Sequence, residues 1–459
     1  MKRFGMRTVL AVSGLALTLA LPAVANETMA DIMVEAYLNS PDLDAQRSDI
    51  KTASEFAVQA RAAGRLNVTG TFGLEAEARD GDNAVFPTTA TLTLSQPLYT
   101  GGQVENATEA AEQRIQAEEI VLVATEQSVL LAAVTAFLNV RRDGFLLDVA
   151  LNNVRVLSEQ LRAAQERFEV GEVTRTDVEQ ARAALAGAQS NLAATRGQLR
   201  ISREDFAEAV GRPPGPLAPP PPLPDLPSNL DAAVQMSIEN EPNLQAARVD
   251  RDASGLDVRA AIGALLPQVS LTGTLSQLDT LDDGFEGQQS ASVGLNVTIP
   301  FYSGGANYSA VRQAQATVEN AEATIITATR DAIRNTRIAW SNLEVARASI
   351  QAGRQEVRAA QLAFEGVTEE AKVGARTTLD VLDAEEEVLD ARGNLISAQR
   401  DEYVAAYQLL AALGLLTINH LGLDIGEPPT SSSYYDSVRD RNFGYDPSDD
   451  TVWSLSYRP

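Results

Sequence analysis

The sequence predicts a mainly helical chain carrying a membrane β-barrel. It reads as two structural repeats of helix, strand, strand, long helix, tight turn and returning helix, with four strands per chain. Three observations predict this: motifs that recur at one fixed offset, four segments of period-two alternation, and two very long proline-free stretches rich in helix formers.

The offset is 203 residues. Pro97-Leu98-Tyr99-Thr100-Gly101-Gly102 recurs as Pro300-Phe301-Tyr302-Ser303-Gly304-Gly305, and Val68-Thr69-Gly70-Thr71 as Leu271-Thr272-Gly273-Thr274. Val170-Gly171 and Val373-Gly374, Asp177-Val178 and Asp380-Val381, and Gly211 and Gly414 keep the same spacing. Upstream, Pro41-Asp42-Leu43 matches Pro242-Asn243-Leu244 at 201, which places a small insertion or deletion before the first strand. The copies are therefore assigned to residues 26–212 and 228–418. Residues 213–227 hold nine of the 20 prolines, a composition for an extended linker. Ser228-x-x-Asp231 then marks the next helix start. The 419–459 tail is polar, without periodicity, and expected to be partly disordered.

Strands are expected at 66–78, 88–97, 268–278 and 289–300. Leu66, Val68, Phe72 and Leu74 alternate with Asn67, Thr69, Thr71 and Glu75, and Val293, Leu295, Val297 and Ile299 with Ser292, Asn296 and Thr298. One apolar face and one face of small hydroxyls suits a barrel around water. A soluble hairpin over a core has the same pattern; the export signal described below and the four-fold recurrence favour the barrel. Four strands cannot close one, since about eight are the usual minimum. Open edges in lipid leave backbone groups unpaired, so the chain must oligomerise.

Long helices are expected at 103–167 and 305–370. The first would span roughly 98 Å at about 1.5 Å per residue, a length suited to a duct crossing a compartment. Tips at 168–176 and 371–377 reverse the chain, Gly171 and Gly374 serving as left-handed caps. Thr174-x-x-Asp177 and Thr377-x-x-Asp380 are capping boxes that restart the returning helices at 177–210 and 378–413. Pro97, Gly101, Gly102, Pro300, Gly304 and Gly305 form the strand-to-helix turns.

The first 25 residues read as a secretory signal: a basic start (Lys2, Arg3, Arg7), an apolar run from Val9 to Leu21, and Ala23-Val24-Ala25 as the cleavage site. No later segment is read as a membrane helix, so a bilayer is crossed by β-strands. Removing the signal leaves 34 basic residues against 62 acidic, a net charge of −28 that repels nucleic acid. With no cysteine and only His420, there is no disulfide, no thiolate or histidine metal cluster and no Ser-His or Cys-His pair. No nucleophile, base or cofactor site is visible, and the chain is not read as an enzyme.

The turn motifs, above all Pro300 to Gly305, Arg167 to Val178 and Val373 to Ala384, resemble the TolC family of outer-membrane efflux proteins over about residues 30 to 415. The resemblance implies a homotrimer with a twelve-strand barrel in outer-membrane lipid and a twelve-helix periplasmic tunnel. It implies the exit duct of a tripartite efflux or type I secretion system. Partners would be an inner-membrane pump of the RND or ABC type and a periplasmic adaptor that meets the tips at Val170, Gly171, Val373 and Gly374. Cargo in the family ranges from drugs to secreted proteins. Arg376 falls on the family's gating arginine and Asp177 on an aspartate it bonds, while Ala371 replaces an aromatic gate partner. Asp380 and Asp383 match the acidic entrance ring, where crowding should raise some carboxyl pKa values. Copy one has Gln180 in place of the second aspartate.

Two other readings use parts of this pattern. A passive oligomeric porin needs the barrel but not helices of such length, and a coiled-coil envelope spacer needs the helices but not amphipathic strand pairs. Bilayer conductance separates channel from spacer; crosslinking of the tips to an adaptor separates duct from porin.

Overall fold

The computed structural model describes residues 26–76, 86–280, 287–425 and 432–442. The expected signal at 1–25 and the last two residues of the expected 66–78 strand lie outside them. Copy one comprises α1 (Met29–Asn39), α2 (Pro41–Ala62), β1 (Asn67–Leu74), β2 (Pro87–Tyr99), α3 (Gln103–Glu169) and α4 (Arg175–Val210). Copy two comprises α5 (Leu230–Asn240), α6 (Pro242–Gly263), β3 (Gln268–Thr280), β4 (Gln288–Thr298), α7 (Ala306–Lys372) and α8 (Thr378–Ala412). A short α9 (Ser432–Val438) follows.

The 67-residue helices α3 and α7 begin 203 residues apart, while α2 and α6 begin 201 apart. Strands β1 and β3 also begin 201 apart, whereas the partners of their first residues, Ser95 and Thr298, are 203 apart. The two extra residues of copy two therefore fall between the paired strands β3 and β4 and not before the first strand as expected. Each copy opens with two helices rather than one. Pro41 and Pro242 occupy the first turn of the second helix, and the residues before them are extended, as a following proline demands. Helix α5 is capped by Asn229, whose side chain accepts the Ala232 N–H at 2.8 Å, so the cap is not Ser228. The returning helix of copy one starts at Arg175, two residues earlier than 177, because Thr174 is the cap and Asp177 the third helical residue.

The strands form one antiparallel sheet in the order β1-β2-β3-β4. Its register gathers most of the apolar residues onto one face, where Gln277 and Gln289 share the row of Phe72 and Ala90. Val68, Leu94, Gly273 and Val293 lie in one row and Gly70, Leu92, Leu275 and Ala291 in the next. On the opposite face Thr69, Thr93, Thr274 and Ser292 form a row, as do Thr71, Thr91, Ser276 and Ser290. The Ser276 and Ser290 hydroxyls hydrogen-bond at 2.7 Å. The apolar side is bare within the chain: Phe72 is 77 % and Val293 81 % exposed. Among the described residues both sheet edges, β1 and β4, lack a strand neighbour.

The largest core lies midway along the helices. There Met29 and Ile32 of α1, Leu130, Val134 and Phe137 of α3, Phe206 and Val210 of α4, and Tyr407 and Leu410 of α8 pack together. This corrects the reading that no later segment is apolar enough for a membrane helix: α3 contains an 18-residue window with mean hydropathy 1.9. The apolar run around residues 129–138 is needed to fill this core. Nearby Glu126 accepts the Ile418 N–H at 2.7 Å.

The proline-rich linker crosses this core as a fixed strap. Arg141 donates to the Leu217 carbonyl at 3.0 Å and to that of Ala218, and the Tyr403 hydroxyl donates to Pro221 at 3.0 Å. Arg212 ties its start to Glu27 and Glu35. The tail carries more structure than its polarity suggests. Leu421, Leu423 and Ile425 pack on the core, and α9 returns to copy one. There Tyr434 donates to Glu55 at 2.7 Å and Tyr435 to Glu112 at 2.6 Å.

Candidate functional site: hairpin tips and strand-to-helix turns

The α3–α4 and α7–α8 pairs are helical hairpins with the same tip built twice. In the first, the Gly171 N–H donates to the Phe168 carbonyl at 3.0 Å and the Glu172 N–H to Arg167 at 2.9 Å. In the second, Gly374 donates to Ala371 at 3.1 Å and Ala375 to Glu370 at 2.9 Å. This paired closure satisfies the last helical carbonyls and requires the left-handed conformation, with φ +79° at both glycines. Val170 and Val373 stand beside them, 71 % and 81 % exposed. Each tip thus presents an isolated apolar side chain on a rigid turn.

Capping boxes fix the other side of each tip. Asp177 accepts the Thr174 N–H at 2.8 Å and its hydroxyl at 2.7 Å, and its own N–H donates back to the Thr174 oxygen. Thr377 and Asp380 repeat the arrangement, with the Thr377 N–H at 2.8 Å. These bonds hold both aspartate carboxyls below the usual range. For Asp380 this runs opposite to the rise expected from crowding in a ring, because within one chain its strongest neighbours are donors. Arg376 lies nearby and lowers it further.

The residues read as a gate have local partners. Arg376 donates to Glu370 at 2.8 Å, and Asp177 is engaged by Thr174. Both Arg376 and Glu370 are about half exposed, a setting in which an ion pair is weak. The position equivalent to Arg376 in copy one is Val173, so the tips share a backbone but differ in charge.

Asp383 faces a groove of about 590 Å³ formed where α8 meets α3 and α4, with Gln180, Asn191, Glu386 and Asp390 also on its walls. Beside it lies a residue that charge counting passed over. Glu385, 9 % exposed, accepts a 2.5 Å hydrogen bond from the Gln160 amide of α3. The signal for it was positional: Glu385 falls on the apolar stripe of α8, three residues after Leu382 and three before Val388, both buried.

The strand-to-helix turns are alike in backbone and unlike in surroundings. Gly101, Gly102, Gly304 and Gly305 have φ between +63° and +88°. Pro97 sits at a register shift in β2, and Pro300 follows the end of β4. A Cβ on Gly101 would meet the Gly263 carbonyl oxygen at 2.5 Å, because the copy-one turn presses on the end of α6. A Cβ on Gly304 would meet nothing within 4 Å. Phe301 and Tyr302 of that second turn are each 90 % exposed.

Among the described residues no group of acidic or histidine side chains could hold a metal ion. The conspicuous features are two tips, two turns and a sheet with one apolar face, an arrangement for conduction. The outer membrane efflux protein family model matches residues 32–212 and 233–415, one segment per copy. The chain is 34 % identical over 423 residues to outer membrane efflux protein BepC of Brucella suis, with 92 % of each chain covered. It is 26 % identical to outer membrane protein TolC of Vibrio cholerae over 413 residues, 86 % of this chain and 92 % of that one. The fold matches the crystal structure of the Campylobacter jejuni CmeC outer membrane channel, with TM-score 0.75, 17 % identity and 90 % of each chain covered. The double match, falling on the two copies that the turns and tips define, places this chain in the family of outer membrane efflux proteins.

Proposed function

We propose that three copies close into a twelve-strand barrel in outer-membrane lipid, continued by a twelve-helix periplasmic tunnel. The assembly serves as the exit duct for an inner-membrane pump and a periplasmic adaptor. One observation carries the reading: the apolar face runs in register across all four strands and is bare, while both sheet edges are open. Lipid accepts such a face, and only closure by neighbouring copies pairs such edges.

The internal repeat supports head-to-tail closure. Within the chain, α3 packs on α6 of the other copy, but among the described residues α7 makes no comparable packing with α2, and its turn at Gly304 is open. The end of α2 from the next chain fits that place, and a rotation that repeats the contact closes a ring. The exposed valines of the tips suit an adaptor surface, and helices of about 100 Å give the reach. At the mouth, Arg376 and Asp177 act as gate residues, and Asp380 and Asp383 from three chains form an acidic ring. Native mass measurement and planar-bilayer conductance test the proposal together. The expected result is a trimer that conducts; a stable folded monomer in detergent refutes it.

A further inference from the structure

We propose that Glu385 is a positioning residue of the gate. Bonded to Gln160, its buried carboxyl sits where α8 of copy two docks against the α3–α4 hairpin of copy one near the mouth, and the cost of burying the ionised carboxylate weakens that docking. The inference rests on reading the chain as a gated duct.

The two hairpins meet in this region through few contacts. Leu382 of α8 packs on Leu157 of α3 and Ala188 of α4, with Val154, Ala184 and Leu185 around them. The Gln160–Glu385 bond lies one turn along α8 from Leu382 and joins residues 225 apart in sequence. The groove runs alongside it, lined on α8 from Leu379 to Asp390. A patch this small leaves the relative position of the hairpins sensitive to one polar pair.

The surroundings make the pair titratable. Asp383, Glu386 and Asp390 of α8 share the groove, while α3 and α4 supply Asn153, Gln180 and Asn191. No lysine or arginine is among its lining residues. Helix α7 packs on another side of α8, through Ala360 against Val388 and Ala391, and lends nothing to the groove. Burial raises the Glu385 carboxyl above its usual 4.5, and the Gln160 amide offsets part of the rise. The sign follows. A carboxyl raised in the docked arrangement binds its proton more tightly there, so docking is strongest at low pH. It weakens as pH climbs from the ordinary glutamate range through the raised value. The duct should therefore be held more tightly shut in acid than at neutrality. The change can reach about tenfold in the open-to-closed ratio per pH unit for each chain that releases one proton.

Single-channel recording between pH 5 and pH 8 tests this on the full-length protein, with native mass to establish that each variant is trimeric. Wild type should open more as pH rises. Glu385→Gln keeps the shape and the bond but cannot ionise, so it should stay at the low-pH level of opening and lose that part of the pH response. Gln160→Leu removes the donor that favours the charged form, and should move the midpoint to higher pH. A Glu385→Gln trimer that follows the wild-type pH profile overturns the inference, as does a Gln160→Leu trimer with an unmoved midpoint. A wild-type protein that conducts at no pH overturns the duct reading instead.

Discussion

Gly101 and Gly304 occupy the same place in the two copies, with φ +68° and +63°, yet one is crowded and the other open. Alanine at either position must adopt a left-handed conformation, at about 1–2 kcal/mol. At Gly101 the added carbon also meets the Gly263 carbonyl oxygen at 2.5 Å and Leu266 Cβ at 3.0 Å, so backbone must shift. Overpacking of that kind adds about 1–3 kcal/mol. Gly101→Ala should therefore lower the stability of each folded chain by about 2–5 kcal/mol. Gly304→Ala should cost an isolated chain only the conformational part. If the next copy's α2 fills the space at Gly304, the remaining 1–3 or so kcal/mol per chain appears in assembly, about 3–9 kcal/mol over three interfaces. Denaturant unfolding of detergent-solubilised protein measures the first quantity, and the trimer fraction on dilution, read by native mass, the second. The expected result is a split: Gly101→Ala unfolds early, whereas Gly304→Ala folds but dissociates. A Gly304→Ala trimer as resistant to dilution as wild type refutes head-to-tail packing at this turn.

Five further substitutions probe the tips and the mouth. Gly171→Val and Gly374→Val place a β-branched residue at φ +79°, a strain of order 1–3 kcal/mol confined to the tip, and should impair efflux in cells while the trimer and its membrane insertion persist. Normal export by both variants would show that the tips do not dock an adaptor. Arg376→Ser removes the charge at the second tip and should raise single-channel conductance and sensitivity to large antibiotics such as vancomycin; unchanged conductance would return Arg376 to an ordinary surface pair with Glu370. The double change Asp380→Asn, Asp383→Asn should reduce cation preference, read as reversal potential in a salt gradient, because confined like charges focus a negative potential. Retained preference would move selectivity to the chain's overall excess of acidic residues, 62 against 37 basic.

Much of this architecture was legible because it rests on local rules. Gly171 and Gly374 must be left-handed caps, and Thr174–Asp177 and Thr377–Asp380 must be capping boxes, whatever surrounds them, so a sequence match at a fixed offset carries the geometry with it. Alternation marked the strand faces for the same reason. What escaped depended on contacts between distant segments. The apolar stretch of α3 resembles a membrane helix until α1, α4 and α8 are placed around it. Tyr434 and Tyr435 look like residues of a polar tail until Glu55 and Glu112 come into reach, more than 320 residues away in the chain.

The acidic residues show where local reading stops. Asp380 and Glu385 lie five positions apart on α8, and by sequence Asp380 is the one marked for function, through its motif. The fold separates them by environment. The Asp380 carboxyl is spent on Thr377, which pulls its pKa down, so it stays charged over the range in which a gate would work. Glu385 has a single neutral donor and lies on an apolar stripe, which pushes its pKa up. A permanently charged residue can set the field in a channel, and a residue whose protonation is coupled to docking can set its opening. The copies share a backbone and Asp177 repeats the capped aspartate in copy one, but α4 carries Arg182 where α8 carries Glu385, so the buried carboxyl belongs to copy two. A duct built by duplication would then keep one hairpin as the fixed wall and the other as the moving one, the division that the Glu385→Gln and Asp380→Asn, Asp383→Asn recordings separate.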